Sequence, residues 1–128
     1  MKRRYTVDNG RTFTASQIRY MIWLCRLSRD RVGVKNVELS TALGLSKPSV
    51  HNMLRSLSDM GVVVQESFGL AHLTDCGRAV AEQYEKCYVI LEQKMAELCG
   101  KECLTENAVC AILADVPYER INILSKKS

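Results

Sequence analysis

The chain has 128 residues and a mass of 14.4 kDa, with 47% hydrophobic and 25% charged residues. This length fits one compact domain, or a small domain with an appendage, and the apolar fraction excludes a disordered chain. No apolar run reaches the roughly 18–20 residues of a membrane span. Asp8, Asn9 and Arg11 stand where a signal peptide needs an apolar core. We therefore expect a cytoplasmic protein without a membrane partner.

The net charge of +4 is distributed unevenly along the chain. Residues 1–70 contain 11 Lys and Arg against 5 Asp and Glu, whereas residues 71–128 contain 7 against 9. A basic front half beside a mildly acidic back half favours an anionic partner for the front half. A basic surface that only faces solvent would give the same composition, so charge alone does not decide between the two.

Six cysteines stand at positions 25, 76, 87, 99, 103 and 110. Several occupy apolar helical positions and nothing marks secretion, so we expect free thiols in a reducing cytosol and not a disulfide framework. The absence of a Cys-x-x-Cys pair argues against a structural zinc knuckle. Cys99 and Cys103 are four residues apart, but Gly100 between them favours a helix end over a pair on one helical face.

Three helices are the first predicted elements after an irregular polar segment over residues 1–13. Apolar periodicity predicts these helices over residues 15–29, 36–43 and 47–60. Thr14 and Gln17 form a capping-box pattern at the start of the first helix. Gly44 can supply a tight turn between the second and third helices. Ser46 is a suitable N-cap for the third helix, and Pro48 lies in its first turn, where a missing N–H is harmless.

A β-hairpin and two further helices follow. Gly61 ends the third helix, and strand-like runs over 62–65 and 70–73 flank a turn at 66–69. A long helix is predicted over about 75–98 and a final one over 105–115. Residues 118–128 are predicted to be a polar tail without regular structure.

The order helix, helix, tight turn, helix, hairpin, long helix is typical of a winged helix-turn-helix. We therefore predict a mainly α protein, with a winged helix-turn-helix DNA-binding domain over residues 1–73 and a helical dimerisation region over residues 74–128. The helix after the turn enters the major groove in this architecture. Its exposed polar candidates are Lys47, Ser49, His51, Asn52 and Arg55, with Ser46 placed for a phosphate oxygen. The same pattern would arise if these residues only faced water.

Three segments of the chain resemble a known family. Residues 14–27, 37–50 and 73–78 are similar to the metal-dependent repressors of the diphtheria toxin repressor and manganese transport regulator type, and the likeness extends over about residues 14–116. The run Ser-x-Pro-Ser-Val at 46–50 is the most specific part of it. The resemblance implies a homodimeric repressor on a palindromic operator. It also implies that DNA is read by Ser46, Pro48, Ser49 and Asn52.

The resemblance further implies a manganese or iron site, and here the sequence departs from the family. The family's ligand positions correspond to Arg19, Ile22, Tyr88, Cys110, Leu113 and Ala114. Of these only Cys110, together with Glu92 one turn after Tyr88, could bind a cation. We expect the metal switch to be lost, with Cys110 in the core.

Two alternatives for this region follow from the same positions. Arg19 could pair with Glu92 or Asp115 and hold a fixed geometry without metal. A rebuilt thiolate site is the other alternative, and it would draw on Cys87, Cys99, Cys103 or Cys110.

The long helix carries an apolar stripe that is wide for a helix covering one small domain. We predict that it forms a two-fold interface through Tyr84, Tyr88, Leu91, Met95 and Leu98. The only histidines are His51 and His72, and no Gly-rich phosphate loop, GxSxG or HExxH motif occurs, so an enzyme is not expected.

The preferred function is a DNA-binding transcriptional regulator with a degraded metal site. A small-ligand- or thiol-responsive winged-helix regulator of the multiple-antibiotic-resistance type is the alternative. A third class is a protein-interaction module that no longer binds DNA, against which the basic groups on the recognition helix argue. The sequence does not specify the operator, the effector or the sign of regulation.

Overall fold

The computed structural model describes residues 13–66 and 69–127. Two predicted features lie outside the described residues. They are the irregular segment, up to residue 12, and the two middle residues of the predicted turn, 67 and 68.

Helices dominate the described chain, which also contains a small antiparallel sheet. In chain order the elements are α1 (Ala15–Leu27), β1 (Val34–Lys35), α2 (Asn36–Leu43), α3 (Lys47–Asp59), β2 (Val63–Gln65), β3 (Leu70–Leu73), α4 (Asp75–Cys99), α5 (Glu106–Ala114) and α6 (Tyr118–Ser125). The predicted fold class, a mainly α winged helix-turn-helix followed by a helical region, is confirmed.

Short-range hydroxyl caps explain where four of the described helices, α1, α3, α4 and α5, begin. At the start of α1, Thr14 Oγ1 accepts the Gln17 N–H at 3.1 Å and the Gln17 side chain accepts the Thr14 N–H at 2.9 Å, which completes the predicted capping box. Helices α3, α4 and α5 begin in the same way. The hydroxyls of Ser46, Thr74 and Thr105 each accept a backbone N–H three residues later. Each cap satisfies a donor that the helix itself leaves unpaired.

The sheet has the order β1-β3-β2, so the predicted hairpin is joined by a strand that the sequence did not suggest. In the hairpin, Val63 lies opposite Leu73. On the other side of β3, Val34 lies opposite Ala71. A two-residue strand is too short to show the alternating pattern by which strands are predicted.

The prediction of a polar tail over 118–128 is wrong, because α6 packs on α4 there. Ile121 is fully buried, and its carbonyl accepts a hydrogen bond from the Cys87 thiol at 3.4 Å. Gln83 donates to Asn122 at 2.9 Å and accepts from the Tyr118 hydroxyl. The segment holds few apolar residues, and its burial depends on a partner helix distant in sequence.

One hydrophobic core runs through both predicted regions of the chain, 1–73 and 74–128. Helix α1 lies at its centre, since it packs against α2 on one side and against α4 and α5 on the other. Its buried side chains are Ile18, Tyr20, Met21, Ile22, Leu24 and Cys25. The two predicted regions are therefore joined by shared packing.

The start of α4 is fixed to the start of the hairpin by a close backbone contact at Gly77. The Thr74 N–H donates to the Val62 carbonyl at 3.0 Å, and the Thr74 hydroxyl donates to the Gly61 carbonyl at 2.9 Å. A Cβ at position 77 would overlap the Val62 carbonyl group. Glycine is required at this point because backbone, which cannot move aside, fills the space.

We expect Gly77→Ala to destabilise the protein by about 3 kcal/mol, since overpacking against backbone forces α4 away from the hairpin. Urea unfolding followed by circular dichroism measures this. Gly33→Ala is the matched control, because a Cβ there would meet its nearest atoms at 3.4–3.6 Å, an ordinary contact distance. Equal stabilities of the two variants would contradict this account of Gly77.

Candidate nucleic-acid interface

The turn between α2 and α3 depends on a left-handed glycine. Gly44 has φ 71° and ψ 32°, and its N–H donates to the Ser40 carbonyl at 2.9 Å. The Leu45 N–H donates to the same carbonyl at 3.1 Å, and the Ser40 hydroxyl returns a bond to the Leu45 carbonyl at 2.5 Å. These bonds fix the angle at which α3 leaves α2.

Helix α3 has one buried face and one exposed face. Val50, Leu54 and Leu57 are fully buried. The structure leaves all the predicted DNA-contacting residues exposed to solvent: Ser46, Lys47, Pro48, Ser49, His51, Asn52 and Arg55. They share the first three turns of α3, as an N-terminal reading surface requires.

Polar groups are paired along this surface. Ser46 Oγ lies 3.0 Å from Ser49 Oγ beside the N-terminus of α3, where backbone N–H groups attract anions. One turn on, Arg55 Nη2 lies 3.3 Å from His51 Nε2. Asn52 stands between these pairs, and its amide can both donate and accept.

An open cleft of about 550 Å³ adjoins α3 on the side of α1. Ser49, Asn52, Met53 and Ser56 line it from α3, and Thr14, Ser16 and Gln17 line it from the start of α1. Sequence reasoning assigned Thr14 and Gln17 only to helix capping. The cleft adds hydroxyl and amide groups to the edge of α3. The polar residues Thr14, Ser16 and Gln17 are the signal in the sequence that could have indicated it.

Much of the basic charge of the front half is neutralised within the chain. Four arginines of residues 19–31 form ion pairs: Arg19 with Glu106 at 2.5 Å, Arg26 and Arg29 with Glu85 at 3.2 and 2.9 Å, and Arg31 with Glu38 at 2.7 Å. The Lys35 N–H and Arg31 together lower the pKa of Glu38. The charge difference between the halves therefore arises partly from ion pairs inside the protein. Only the remaining basic charge is available to an anionic partner.

Lys35, Lys47 and Arg55 are the basic residues of the described front half that form no ion pair within the described chain. The hairpin adds none, because residues 56–77 contain no Lys or Arg. His72 lies in β3 of this hairpin, with its Nε2 2.9 Å from Glu66 Oε2. Positive charge on this surface is thus concentrated at α3.

Four of the six residues that sequence analysis placed at the expected metal site converge in space, namely Arg19, Ile22, Tyr88 and Cys110. Arg19, Ile22 and Trp23 of α1 meet Tyr88 of α4 and Cys110 of α5 around a crevice with no room for a water molecule. The sixth residue of this crevice is Glu106, which sequence reasoning did not single out. The predicted pairing of Arg19 with Glu92 or Asp115 is wrong, because Glu106 holds the guanidinium.

Glu106 uses both carboxylate oxygens to tie α5 to α1. Arg19 Nε donates to Oε1 at 2.5 Å, and the Trp23 indole N–H donates to Oε2 at 2.9 Å. Arg19 Nη2 also donates to the Leu43 carbonyl at 3.0 Å, at the end of α2. One guanidinium therefore connects three helices, and one of them leads into the helix-turn-helix turn.

This crevice does not fit a divalent cation. The Arg19 guanidinium takes up the nearest carboxylate, and burial raises the pKa of the Cys110 thiol to about 12, so that it stays protonated. Cys110 is 1% exposed, which confirms its predicted place in the core. Within residues 13–66 and 69–127, no cluster of three or more His, Cys, Asp or Glu side chains could hold a metal ion.

The cysteines do not assemble into a thiolate site. Burial raises the pKa of the Cys87 thiol to about 11, and Cys25 is also buried with a raised pKa. Cys99 and Cys103 form a disulfide, so the expectation of free thiols is wrong for this pair. The helix end that Gly100 creates brings the two sulfur atoms together across a turn.

The predicted dimerisation stripe divides into a buried part and an exposed part. Tyr84 and Tyr88 are 2% and 5% exposed and lie in the chain's own core. The prediction that they contact a second copy is therefore wrong. Phe13 packs edge-on against Tyr84, and Arg26 lies over Tyr88. Leu91 and Met95 are half-buried, and Leu98 is 79% exposed.

Comparisons with known proteins agree with this architecture. The model of the IclR helix-turn-helix domain matches residues 25–67, from the end of α1 through β2. The chain is also similar in fold to the crystal structure of the hypothetical protein SSo2273 from Sulfolobus solfataricus, with a TM-score of 0.59 and 17% identity over 88% of this chain and 86% of that chain. The search of curated proteins finds no match.

The family match supports a winged-helix transcription regulator that carries a helix-turn-helix DNA-binding domain. The match gives no support to the predicted membership of the metal-dependent repressor family. Among the residues that the structure describes, no helix is both long and apolar enough to cross a membrane.

Proposed function

We propose that the protein is a homodimeric transcriptional regulator that inserts α3 into the major groove of a palindromic operator. The observation that carries the proposal is the exposed polar face of α3, which begins at a capped N-terminus and follows a tight glycine turn. The match of residues 25–67 to a helix-turn-helix family gives independent support.

In this proposal the residues of α3 divide into two groups. Ser46, Ser49 and Lys47 contact phosphates at the helix N-terminus, where the helix dipole and unpaired N–H groups favour anions. Asn52 and Arg55 contact bases, because Asn can bind adenine and Arg can bind guanine through two hydrogen bonds each.

We expect Asn52→Ala combined with Arg55→Ala to weaken binding to the selected duplex at least about tenfold, since each base contact contributes about 1–3 kcal/mol. The duplex is found by selection from a random library, and affinity is measured by fluorescence anisotropy at several salt concentrations. Affinity should fall with salt through counterion release.

The matched control is Asn107→Ala with Arg120→Ala, which removes the same side-chain types from exposed positions on α5 and α6. The control should retain wild-type affinity. Unchanged sequence preference in the α3 variant, or failure of the wild type to enrich any sequence, would refute the assignment of α3 as the reading helix.

The second half of α4 supports the proposed homodimer. After Tyr88 none of the residues of this helix is fully buried, although Leu91, Met95 and Leu98 form an apolar stripe. The stripe therefore extends beyond the chain's own core. A second copy related by two-fold symmetry would cover it and place two α3 helices on one duplex.

We expect the wild type to sediment as a dimer at micromolar concentration and Leu98→Glu to sediment as a monomer, because the substitution buries an unpaired charge. Leu98 is 79% exposed in the protomer, so the fold should not be affected. Gln93→Glu introduces the same charge on the opposite side of α4 and should remain dimeric. A monomeric wild type would contradict the proposed assembly.

We propose further that the regulator acts without a manganese or iron switch, because Arg19 and Glu106 form the link between α1 and α5. Chelator, or added manganese or iron, should change operator affinity by less than about threefold, below the 1.4 kcal/mol of a tenfold effect. Anisotropy titrations after chelation test this. A strong metal dependence that Cys110→Ser abolishes would show that a thiolate site exists.

A further inference from the structure

We infer that the Cys99–Cys103 pair is a reversible redox site whose state is transmitted through Glu106 and Arg19 to the helix-turn-helix turn. The biological role of this site rests on the proposed DNA-binding function. It corresponds to the alternative of a thiol-responsive winged-helix regulator. Its evidence lies in the position of the disulfide, the backbone of the loop that it closes, and the hydrogen bonds that join Glu106 through Arg19 to the end of α2.

The pair is accessible to small reagents. Cys99 is the last residue of α4 and Cys103 lies in the loop before α5, and both are exposed, with Cα atoms 6.0 Å apart. Cys25, Cys87 and Cys110 are buried, and burial raises the pKa of each thiol. Since the thiolate is the reactive form, these three are poor competitors for an oxidant.

The loop closed by the disulfide has an unfavourable backbone conformation. Glu102 has φ 61° and is the only non-glycine residue with positive φ in the described chain. Gly100, two residues earlier, has φ 95°. A left-handed conformation is unfavourable for a residue with a side chain, so it persists where a constraint maintains it. Reduction removes the covalent constraint and allows Glu102 to leave this conformation.

A direct structural path leads from this loop to the DNA-reading helix. Thr105, two residues after Cys103, caps α5, and Glu106 is the first residue of that helix. Glu106 holds Arg19 and Trp23, and Arg19 donates to the Leu43 carbonyl. Leu43 immediately precedes the left-handed Gly44 that sets the direction of α3. Movement of the α5 start therefore reaches the turn through two side chains.

The chemical step is thiol oxidation by a peroxide. The thiolate of one cysteine attacks a peroxide oxygen, the O–O bond breaks, and a sulfenic acid and water or an alcohol form after proton transfer. The second thiol then attacks the sulfenic sulfur and releases water as the S–S bond forms. Two thiols lose two electrons and two protons, and the peroxide is reduced. A low-molecular-weight dithiol reverses the reaction by exchange.

Trp23 provides a reporter for this path, because it is the only tryptophan and its indole N–H donates to Glu106. Full-length protein is treated with hydrogen peroxide or with dithiothreitol, and mass spectrometry after alkylation identifies the disulfide. Trp23 fluorescence then reports the α1–α5 contact, and hydrogen exchange of the peptide spanning residues 40–49 reports the turn. We expect reduction to shift the Trp23 emission and to accelerate exchange in that peptide.

Operator affinity should fall at least about fivefold on reduction, the lower end of the usual coupling between two sites. The variant Cys99→Ser with Cys103→Ser should behave as the reduced wild type under both treatments. Cys76→Ser, a change at an exposed cysteine of the same helix, should retain the full response.

Three outcomes would overturn the inference: no Cys99–Cys103 disulfide after peroxide, the same Trp23 emission in both redox forms, or the same exchange at residues 40–49. Failure of both redox forms to bind DNA refutes the proposed function instead. The mass, fluorescence and exchange results still decide the redox site in that case, because none of them depends on DNA.

Discussion

The two ends of the fold are connected by the carboxylate of Glu106. It accepts from Arg19 and Trp23 of α1, and Arg19 in turn donates to the end of α2. The Arg19 and Glu106 side chains are 20% and 26% exposed, so the pair is shielded from most of the solvent. Removing one partner would leave a charge in a low-dielectric crevice, which costs more than removing both. This dependence makes the position of α5 part of the geometry of the helix-turn-helix.

The distribution of charge along the sequence has a structural meaning that its total does not show. Arg26 and Arg29 reach across to Glu85 of α4, as Arg19 reaches across to Glu106 of α5. The excess of acid in the back half and of base in the front half thus includes the two sides of the same ion pairs. A basic half of a sequence is evidence for an anionic partner only after such internal pairs have been subtracted.

Elements with local chemistry were predictable, and those that depend on distant partners were not. Thr14, Ser46 and Thr74 mark helix starts through bonds to residues three positions away, and Gly44 marks a turn through its own backbone freedom. Glu106 lies 87 residues from Arg19, and no pattern in the sequence relates them. Helix α6 packs against α4, and strand β1 pairs with β3. Both elements therefore also depend on partners elsewhere in the chain.

Exposure of the predicted residues was predicted correctly where it follows from helical periodicity and wrongly where it follows from packing. The face of α3 opposite Val50, Leu54 and Leu57 is exposed, as a 3.6-residue period requires. The same reasoning placed Tyr84 and Tyr88 with Leu91 and Leu98 on one stripe. It could not show that α1 and its neighbours cover the first half of that stripe. Spacing identifies a face, but only tertiary structure determines which part of the face remains uncovered.

The junction at Gly77 determines where α4 starts relative to the hairpin. Backbone contact between Gly77 and Val62, with the Thr74 bonds beside it, attaches the start of α4 firmly to the hairpin that follows α3. The far half of α4 extends beyond the core and ends at the Cys99–Cys103 loop. Because backbone cannot move aside at residue 77, the position of α4 relative to the hairpin is fixed at the start of the helix. The helical region is thus attached to the helix-turn-helix at two separate points, α4 at the hairpin beside Gly77 and α5 at the end of α2 through Glu106 and Arg19.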